Sequence, residues 1–196
     1  MEYTYYGFQN CIGAFFEMPT SDARAILPLH LQPLEMQHTR SILSVMAFQF
    51  TESMVGEYDE LVMAIIVPPL VEPERQLPKA AFYPFMVATT TEADYSMDVK
   101  VADADGAPIL DLFVTRHEHH PTRNMYNMFT VGEDGRFKAN IFMEAPHSEH
   151  EEERGSITLH EHEMTCGLTL SDISDLPFRE QWYTAGLQSF EPLETL

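Results

Sequence analysis

Two Asp-Gly pairs in this chain each lie between two apolar runs, at Asp105-Gly106 and at Asp134-Gly135. The flanking runs cover residues 99–102, 109–114, 128–131 and 137–143. Asp-Gly favours the tight two-residue turn that joins antiparallel strands, because glycine adopts a positive φ without steric cost. The sequence therefore predicts two β-hairpins, which restrict the fold to one rich in antiparallel strands.

The first half of the chain predicts further strands around one short helix. Residues 11–18 form an apolar run that ends at Pro19. A hydroxyl of Thr20 or Ser21 can cap a helix, and Pro28 stops it because proline lacks the backbone N–H that a helix needs. Two longer runs, 41–50 and 60–67, are apolar on both faces, as in strands of a closed or sandwiched sheet.

The remaining segments complete a mainly antiparallel β domain that spans residues 1–196. Residues 68–78 are rich in proline and predict a loop. Residues 80–88 predict a strand, in which Pro84 indicates an edge or a bulge. The charged segment 146–155 predicts an exposed loop with solvated His147 and His150. The alternating residues 156–164 predict another strand.

Composition limits the possible partners. The chain has 196 residues, 44% of them hydrophobic, and a formal net charge of −20, so it can bury a full core. Such a negative field repels phosphate backbones and anionic lipids, so neither nucleic acid nor a membrane is an expected partner. No run of about 18 apolar residues occurs. We expect a soluble, cytoplasmic protein.

The segment Gly56-x-Tyr58-x-Glu60 lies between the two strands that are apolar on both faces. It places a carboxylate where a turn leads back into the hydrophobic interior. Glu60 is therefore either a turn residue that accepts backbone hydrogen bonds or an acid that faces a pocket.

The order of these features resembles the acetoacetate decarboxylase-like superfamily. The order is a short helix, Leu27-Pro-x-x-Leu-x-Pro33, a strand, Gly56-x-Tyr58-x-Glu60 and a second strand. The resemblance implies an antiparallel β-barrel or cone with short helices, an apolar pocket, no cofactor and a possible homo-oligomer. In this family a lysine in the pocket forms a Schiff base with a ketone substrate.

The resemblance also assigns candidate site residues. The family carries a Gly-x-Pro-Lys-Lys segment, which is absent here; the three lysines are Lys79, Lys100 and Lys138. Lys100 stands at about the family's separation from Glu60, after the segment 92–99, and is the candidate nucleophile of a lyase that acts on a small oxo acid. A lysine loses its proton near neutral pH when it is desolvated or lies beside another cation.

Further site residues follow from the same resemblance. Glu60 would be the acid, base or positioning group. Arg24 or Arg40 would hold the carboxylate of the substrate, and Tyr58 would contact the substrate.

Two other functions remain open at this stage. The chain can be a small-molecule-binding domain that kept the barrel and lost the lysine. It can also be a metal-binding barrel, since His117, His119, His160 and His162 form two His-x-His pairs.

Overall fold

The computed structural model describes residues 3–36, 39–90 and 98–196. One α-helix, α1, spans Thr20–Ile26, and short 3-10 helices lie at Glu163–Thr165 and Leu170–Asp172. The strands are β1 (Thr4–Pro19), β2 (Arg40–Glu52), β3 (Tyr58–Val67), β4 (Ala80–Thr90), β5 (Asp98–Ala102), β6 (Pro108–Phe113), β7 (His120–Gly132), β8 (Gly135–His150), β9 (Ser156–Leu159), β10 (Arg179–Phe190) and β11 (Glu194–Thr195). None of the described helices has the length and apolar character needed to cross a membrane.

Seven of these strands close into a barrel in the order β10-β1-β2-β3-β4-β7-β8, and β8 pairs back with β10. Barrel neighbours are antiparallel except β4 and β7, which run parallel over Ala80–Phe82 and Tyr126–Met128. The predicted mainly β barrel with a short helix is confirmed, with one parallel pairing that makes the barrel mixed. The chain leaves the barrel after β4 and adds β5 and β6 before β7, which provides the long connection that parallel neighbours need.

A second sheet packs on the outside of the barrel, in the order β5-β6-β9. Its buried side chains, such as Val99 and Leu112, join a core with outward-facing residues of β1 and β3, such as Phe16 and Met63. A separate core fills the barrel interior. The strands β2 and β3 are apolar on both faces because each face contacts one of these cores.

The predicted hairpins and the predicted bulge are both present. β5 and β6 pair across Asp105-Gly106, and β7 pairs with β8 up to Gly132 and Gly135. The register between β3 and β4 shifts at the level of Pro84, as expected where a strand residue cannot donate a backbone hydrogen bond.

The prediction of an exposed loop over residues 146–155 was wrong for its first half. β8 continues to His150, and the side chain of His147 is only 6% exposed. This segment is charged, but β10 pairs with it from Glu180 to Tyr183 and closes the barrel there. The predicted strand 156–164 is also shorter than expected, because β9 ends at Leu159.

Candidate functional site

The inward-facing side chains of the barrel line a cavity of about 130 Å³. Alternation along a strand sends every second side chain inward, so β2 and β3 supply Ser44, Met46, Glu60, Val62 and Ala64. The other lining residues are Phe48, Phe82, Pro84, Val87, Tyr126, Met128, Ile141, Met143, Gln188 and Phe190. Because apolar side chains make most of this wall, the cavity suits a small and largely apolar molecule.

Glu60 contributes the only carboxyl group among the described residues that line the cavity. It lies on β3, and the Tyr58 hydroxyl donates a hydrogen bond of 3.2 Å to Glu60 Oε2. Burial raises the pKa of Glu60, and the hydrogen bond from Tyr58 offsets part of this rise. Glu60 therefore keeps its proton to a higher pH than an exposed glutamate and can donate a hydrogen bond to a ligand.

Ser44 presents a polar atom to the cavity that lacks a partner. Its side chain is fully buried on β2, and Ser44 Oγ has no hydrogen-bond partner among the described residues. Leaving a buried hydroxyl unpaired costs roughly 1–3 kcal/mol. A bound molecule with a polar atom near Ser44 would remove that cost.

A cluster of polar aromatic residues begins at Tyr126 in the cavity lining and continues along the barrel interior. The hydroxyls of Tyr126 and Tyr183 lie 2.5 Å apart, and Asn124 Nδ2 donates to the Tyr183 hydroxyl at 2.9 Å. The ring of His147 stacks on Tyr183, with 4.1 Å between the ring centroids. Burial raises the pKa of both phenols, so the hydroxyls stay protonated and orient one another.

Two charged residues, Lys79 and Glu149, act on the His147 end of this cluster. Lys79, just before β4, forms an ion pair with Glu149 of β8. Burial lowers the pKa of His147 to about 4, and the positive charge of Lys79 contributes to the decrease. His147 is therefore neutral at physiological pH.

The structure places the three lysines away from the cavity lining. Lys100 is exposed on β5 in the outer sheet, where its strand partner is Asp111. Lys79 forms an ion pair with Glu149, and the buried Lys138 of β8 forms ion pairs with Glu72 and Glu194; neither lysine lines the cavity. Among the described residues, the geometry does not bring Lys100 together with Glu60. The role of Lys100 as nucleophile stays a prediction without a contact to support it.

The two predicted arginines lie outside the barrel interior. Arg24 of α1 is 60% exposed and forms an ion pair with Glu35. Arg40 begins β2 and donates to the carbonyl oxygens of Glu17 and Asp172 at 3.1 and 2.6 Å. Neither arginine lines the cavity. Of the predicted site residues, Glu60 and Tyr58 are therefore the two that the fold brings together.

The resemblance matches the family's lysine segment to residues 92–99, and most of that stretch lies outside the described residues.

The four histidines of the metal hypothesis separate into different environments. His160 Nε2 lies 3.1 Å from Asp111 and His162 Nε2 lies 3.2 Å from Asp103 in the outer sheet region. His117 instead contacts His150.

Sequence reasoning missed Ser44, Tyr126, Tyr183 and the buried position of His147. Ser44 interrupts the apolar strand 41–50, and a polar residue in such a run was the available signal. The pairing of Tyr126 with Tyr183 joins residues that are 57 positions apart, so no local pattern indicates it.

Comparison with known proteins identifies the fold. The sequence matches no family model and no curated protein. The structure is similar to that of an acetoacetate decarboxylase, with a TM-score of 0.60 and 12% identity over 98% of this chain and 89% of that chain. It is also similar to an acetoacetate decarboxylase-like enzyme from Sphingomonas wittichii RW1, with a TM-score of 0.57 and 11% identity over 100% of this chain and 94% of that chain.

A third similar structure contains a ligand. It is the enduracididine biosynthesis enzyme MppR, complexed with the condensation product of pyruvate and imidazole 4-carboxaldehyde. The TM-score is 0.55 and the identity 9%, over 98% of this chain and 88% of that chain. The chain therefore has the acetoacetate decarboxylase-like fold.

Proposed function

We propose that this protein binds a small, neutral carbonyl compound in the barrel cavity, and that Glu60, in its protonated form, is the hydrogen-bond donor to the carbonyl oxygen. The observation that carries the proposal is the position of Glu60, the one carboxyl group among the described residues that line a largely apolar cavity, with a pKa raised by burial. A protonated carboxyl group in apolar surroundings is a strong donor to a neutral acceptor. The complexed MppR structure supports the idea that this fold accommodates small molecules.

The cavity volume limits the ligand. An apolar cavity of about 150 Å³ is large enough for benzene, so about 130 Å³ accommodates a molecule of about six heavy atoms. The unpaired hydroxyl of Ser44 supplies a second polar group in the lining, on the strand β2 that pairs with the Glu60 strand β3. A compact ketone or aldehyde fits this volume, and a further polar atom would add a contact to Ser44.

Charge favours a neutral ligand over an oxo acid. Among the described residues the lining contains no lysine, arginine or histidine to pair with a carboxylate. Burying an unpaired carboxylate costs several kcal/mol, and the net charge of −20 adds long-range repulsion. The oxo acid expected from the family resemblance is therefore a weaker candidate than a neutral carbonyl compound.

A hydrogen bond from Glu60 would also change the reactivity of a bound carbonyl compound. A donor at the carbonyl oxygen polarises the carbonyl group and acidifies the neighbouring C–H bonds. The Schiff-base mechanism needs a lysine at the carbonyl carbon, and no described lysine lines the cavity. We therefore favour non-covalent binding over a Schiff-base lyase.

Two measurements on one protein sample test this proposal. Calorimetric titration should detect binding of cyclopentanone and weaker or no binding of pyruvate and acetoacetate. Borohydride reduction in the presence of each compound, followed by peptide mass mapping, should leave the three lysines unmodified. A reduced adduct on Lys100 or Lys79 would overturn the non-covalent proposal and support the lyase. Absence of binding by every compound would reject the ligand class.

A further inference from the structure

We propose that His117, His150 and Glu152 form a binding site for a divalent metal ion of the zinc type. The three residues each offer one ligand atom, and these atoms lie within 4.8 Å of one another. The ring centroids of His117 and His150 are 3.6 Å apart. The site lies where the β6–β7 connection meets the end of β8, and none of the three residues lines the barrel cavity.

A chain of hydrogen bonds prepares His150 to bind a metal. Thr115 Oγ1 donates to the buried Glu180 Oε2 at 2.9 Å, so its oxygen can accept from His150 Nε2 at 3.0 Å. His150 then carries its proton on Nε2 and has a free lone pair on Nδ1. Metal-bound histidines commonly donate their other N–H in this way, which fixes the tautomer and the ring orientation.

The free nitrogen of His150 is buried without a partner. The side chain of His150 is 9% exposed, and His150 Nδ1 has no hydrogen-bond partner among the described residues. An unpaired buried acceptor carries a desolvation cost that a bound cation would remove. This unpaired nitrogen is a second observation, beside the grouping of the three side chains, that favours a ligand at His150.

The set of ligands matches zinc chemistry. Two imidazole nitrogens and one carboxylate oxygen bind zinc at about 2.0–2.2 Å and leave a fourth position for water or another ligand. The exposed Glu152 can close onto the ion, although its Oε2 lies 2.9 Å from Arg154 Nε and that ion pair must open. Arg154 is 65% exposed, so its side chain can move into solvent. The net charge of −20 favours a cation at this surface.

The histidines of the outer sheet provide a matched control. Both ring nitrogens of His162 are occupied, since Nδ1 accepts from the Met164 N–H at 3.1 Å and Nε2 lies 3.2 Å from Asp103. A substitution of His162 removes an imidazole from the chain without touching the proposed site. His117→Ala and His162→Ala each remove one histidine. A loss of zinc binding in the first variant alone therefore distinguishes a specific site from nonspecific binding to histidines.

Zinc titration of the full chain, freed of any affinity tag and pretreated with a chelator, tests the site. The wild type should bind one zinc ion per chain by calorimetry and elemental analysis. His117→Ala and Glu152→Gln should each weaken binding at least about tenfold, because each removes a direct ligand. Thr115→Val should weaken it by about 10- to 100-fold, the usual range for a group that orients a ligand. His162→Ala should bind as the wild type does.

Circular dichroism of each variant confirms that it is folded before the titration is interpreted. No stoichiometric binding by the wild type would overturn the proposal. Equal affinities for the wild type and a folded His117→Ala variant would overturn it as well. Because the cavity residues are unchanged in every variant, ketone binding reports separately on the proposed function.

Discussion

Tyr58 and Glu60 face the barrel interior from one strand, and the hydroxyl of Tyr58 donates a 3.2 Å hydrogen bond to Glu60 Oε2. Side chains two residues apart on a strand point to the same face, so the fold fixes this pair without a loop. The hydrogen bond from Tyr58 stabilises the ionised form of Glu60, whereas burial destabilises it. The protonation state of Glu60 is the property on which the proposed function depends.

Glu60→Gln should remove a pH dependence from folding stability. Since burial raises the pKa of Glu60 above its ordinary value of 4.5, the folded state holds the proton more tightly than the unfolded state. The wild type should therefore lose stability as pH rises through the raised pKa, whereas Glu60→Gln should not. Urea unfolding from pH 4 to pH 8 gives the comparison. A parallel pH dependence in the two proteins would show that Glu60 is not desolvated.

Ala64→Leu should block the cavity and preserve the fold. Ala64 is 2% exposed and lines the cavity on β3, so the added carbon atoms enter existing space. We expect at least a tenfold loss of cyclopentanone affinity and a stability change below about 2 kcal/mol. Ala107→Leu makes the same chemical change at an exposed position outside the barrel and should bind the ketone as the wild type does. If both variants bind equally well, the ligand occupies another site.

His147→Phe should make the protein less sensitive to acid. The folded pKa of about 4 lies below the ordinary value of 6.5, so the unfolded state binds the proton first as pH falls. Stability from the neutral imidazole is complete above pH 6.5 and is lost between pH 6.5 and 4, by roughly 3 kcal/mol at most. Phenylalanine retains an aromatic ring beside Tyr183 and does not titrate. An unchanged acid transition in this variant would contradict the lowered pKa.

Gly186→Ala should disrupt the closure of the barrel. A Cβ at this position would lie 2.4 Å from Ala145 Cβ and 2.5 Å from Phe8 Cζ, where β10 shifts register against β8. We expect a loss of about 3 kcal/mol or more in the free energy of unfolding. Gly13→Ala is the control, because its nearest neighbour is the flexible Met46 at 3.4 Å. Equal thermal stability of the two variants would show that the barrel relaxes easily at Gly186.

Local patterns predicted the parts of the fold that depend on neighbouring residues. The Asp-Gly turns specified both hairpins, and Pro84 indicated the bulge opposite β3. Closure of the barrel depends on β10 pairing with β8, and a charged sequence at residues 146–150 concealed that strand. Charge describes only the exposed face of such a strand, so the burial of His147 could not be deduced from it.

The candidate site was also predicted only in part, because some of its residues are neighbours on one strand and others meet only in the folded barrel. Glu60 and Tyr58 follow from one strand and one turn, which a sequence motif can specify. The position of Lys100 depends on the insertion of β5 and β6 into the outer sheet, so its separation from Glu60 along the chain did not report on distance in space. Ser44 on β2 and Tyr126 on β7 line the same cavity only because the strands close into a barrel, which no local pattern indicates.

The most direct test of the account is an NMR titration of methyl-labelled methionines with cyclopentanone. Met46, Met128 and Met143 line the cavity, while Met54 is 82% exposed on the loop between β2 and β3. If the cavity is the ligand site, the three lining methyl signals should shift in a saturable manner and Met54 should not, and Ala64→Leu should abolish the shifts. Unchanged signals from Met46, Met128 and Met143 at saturating ketone, or equal shifts at Met54, would contradict the central claim.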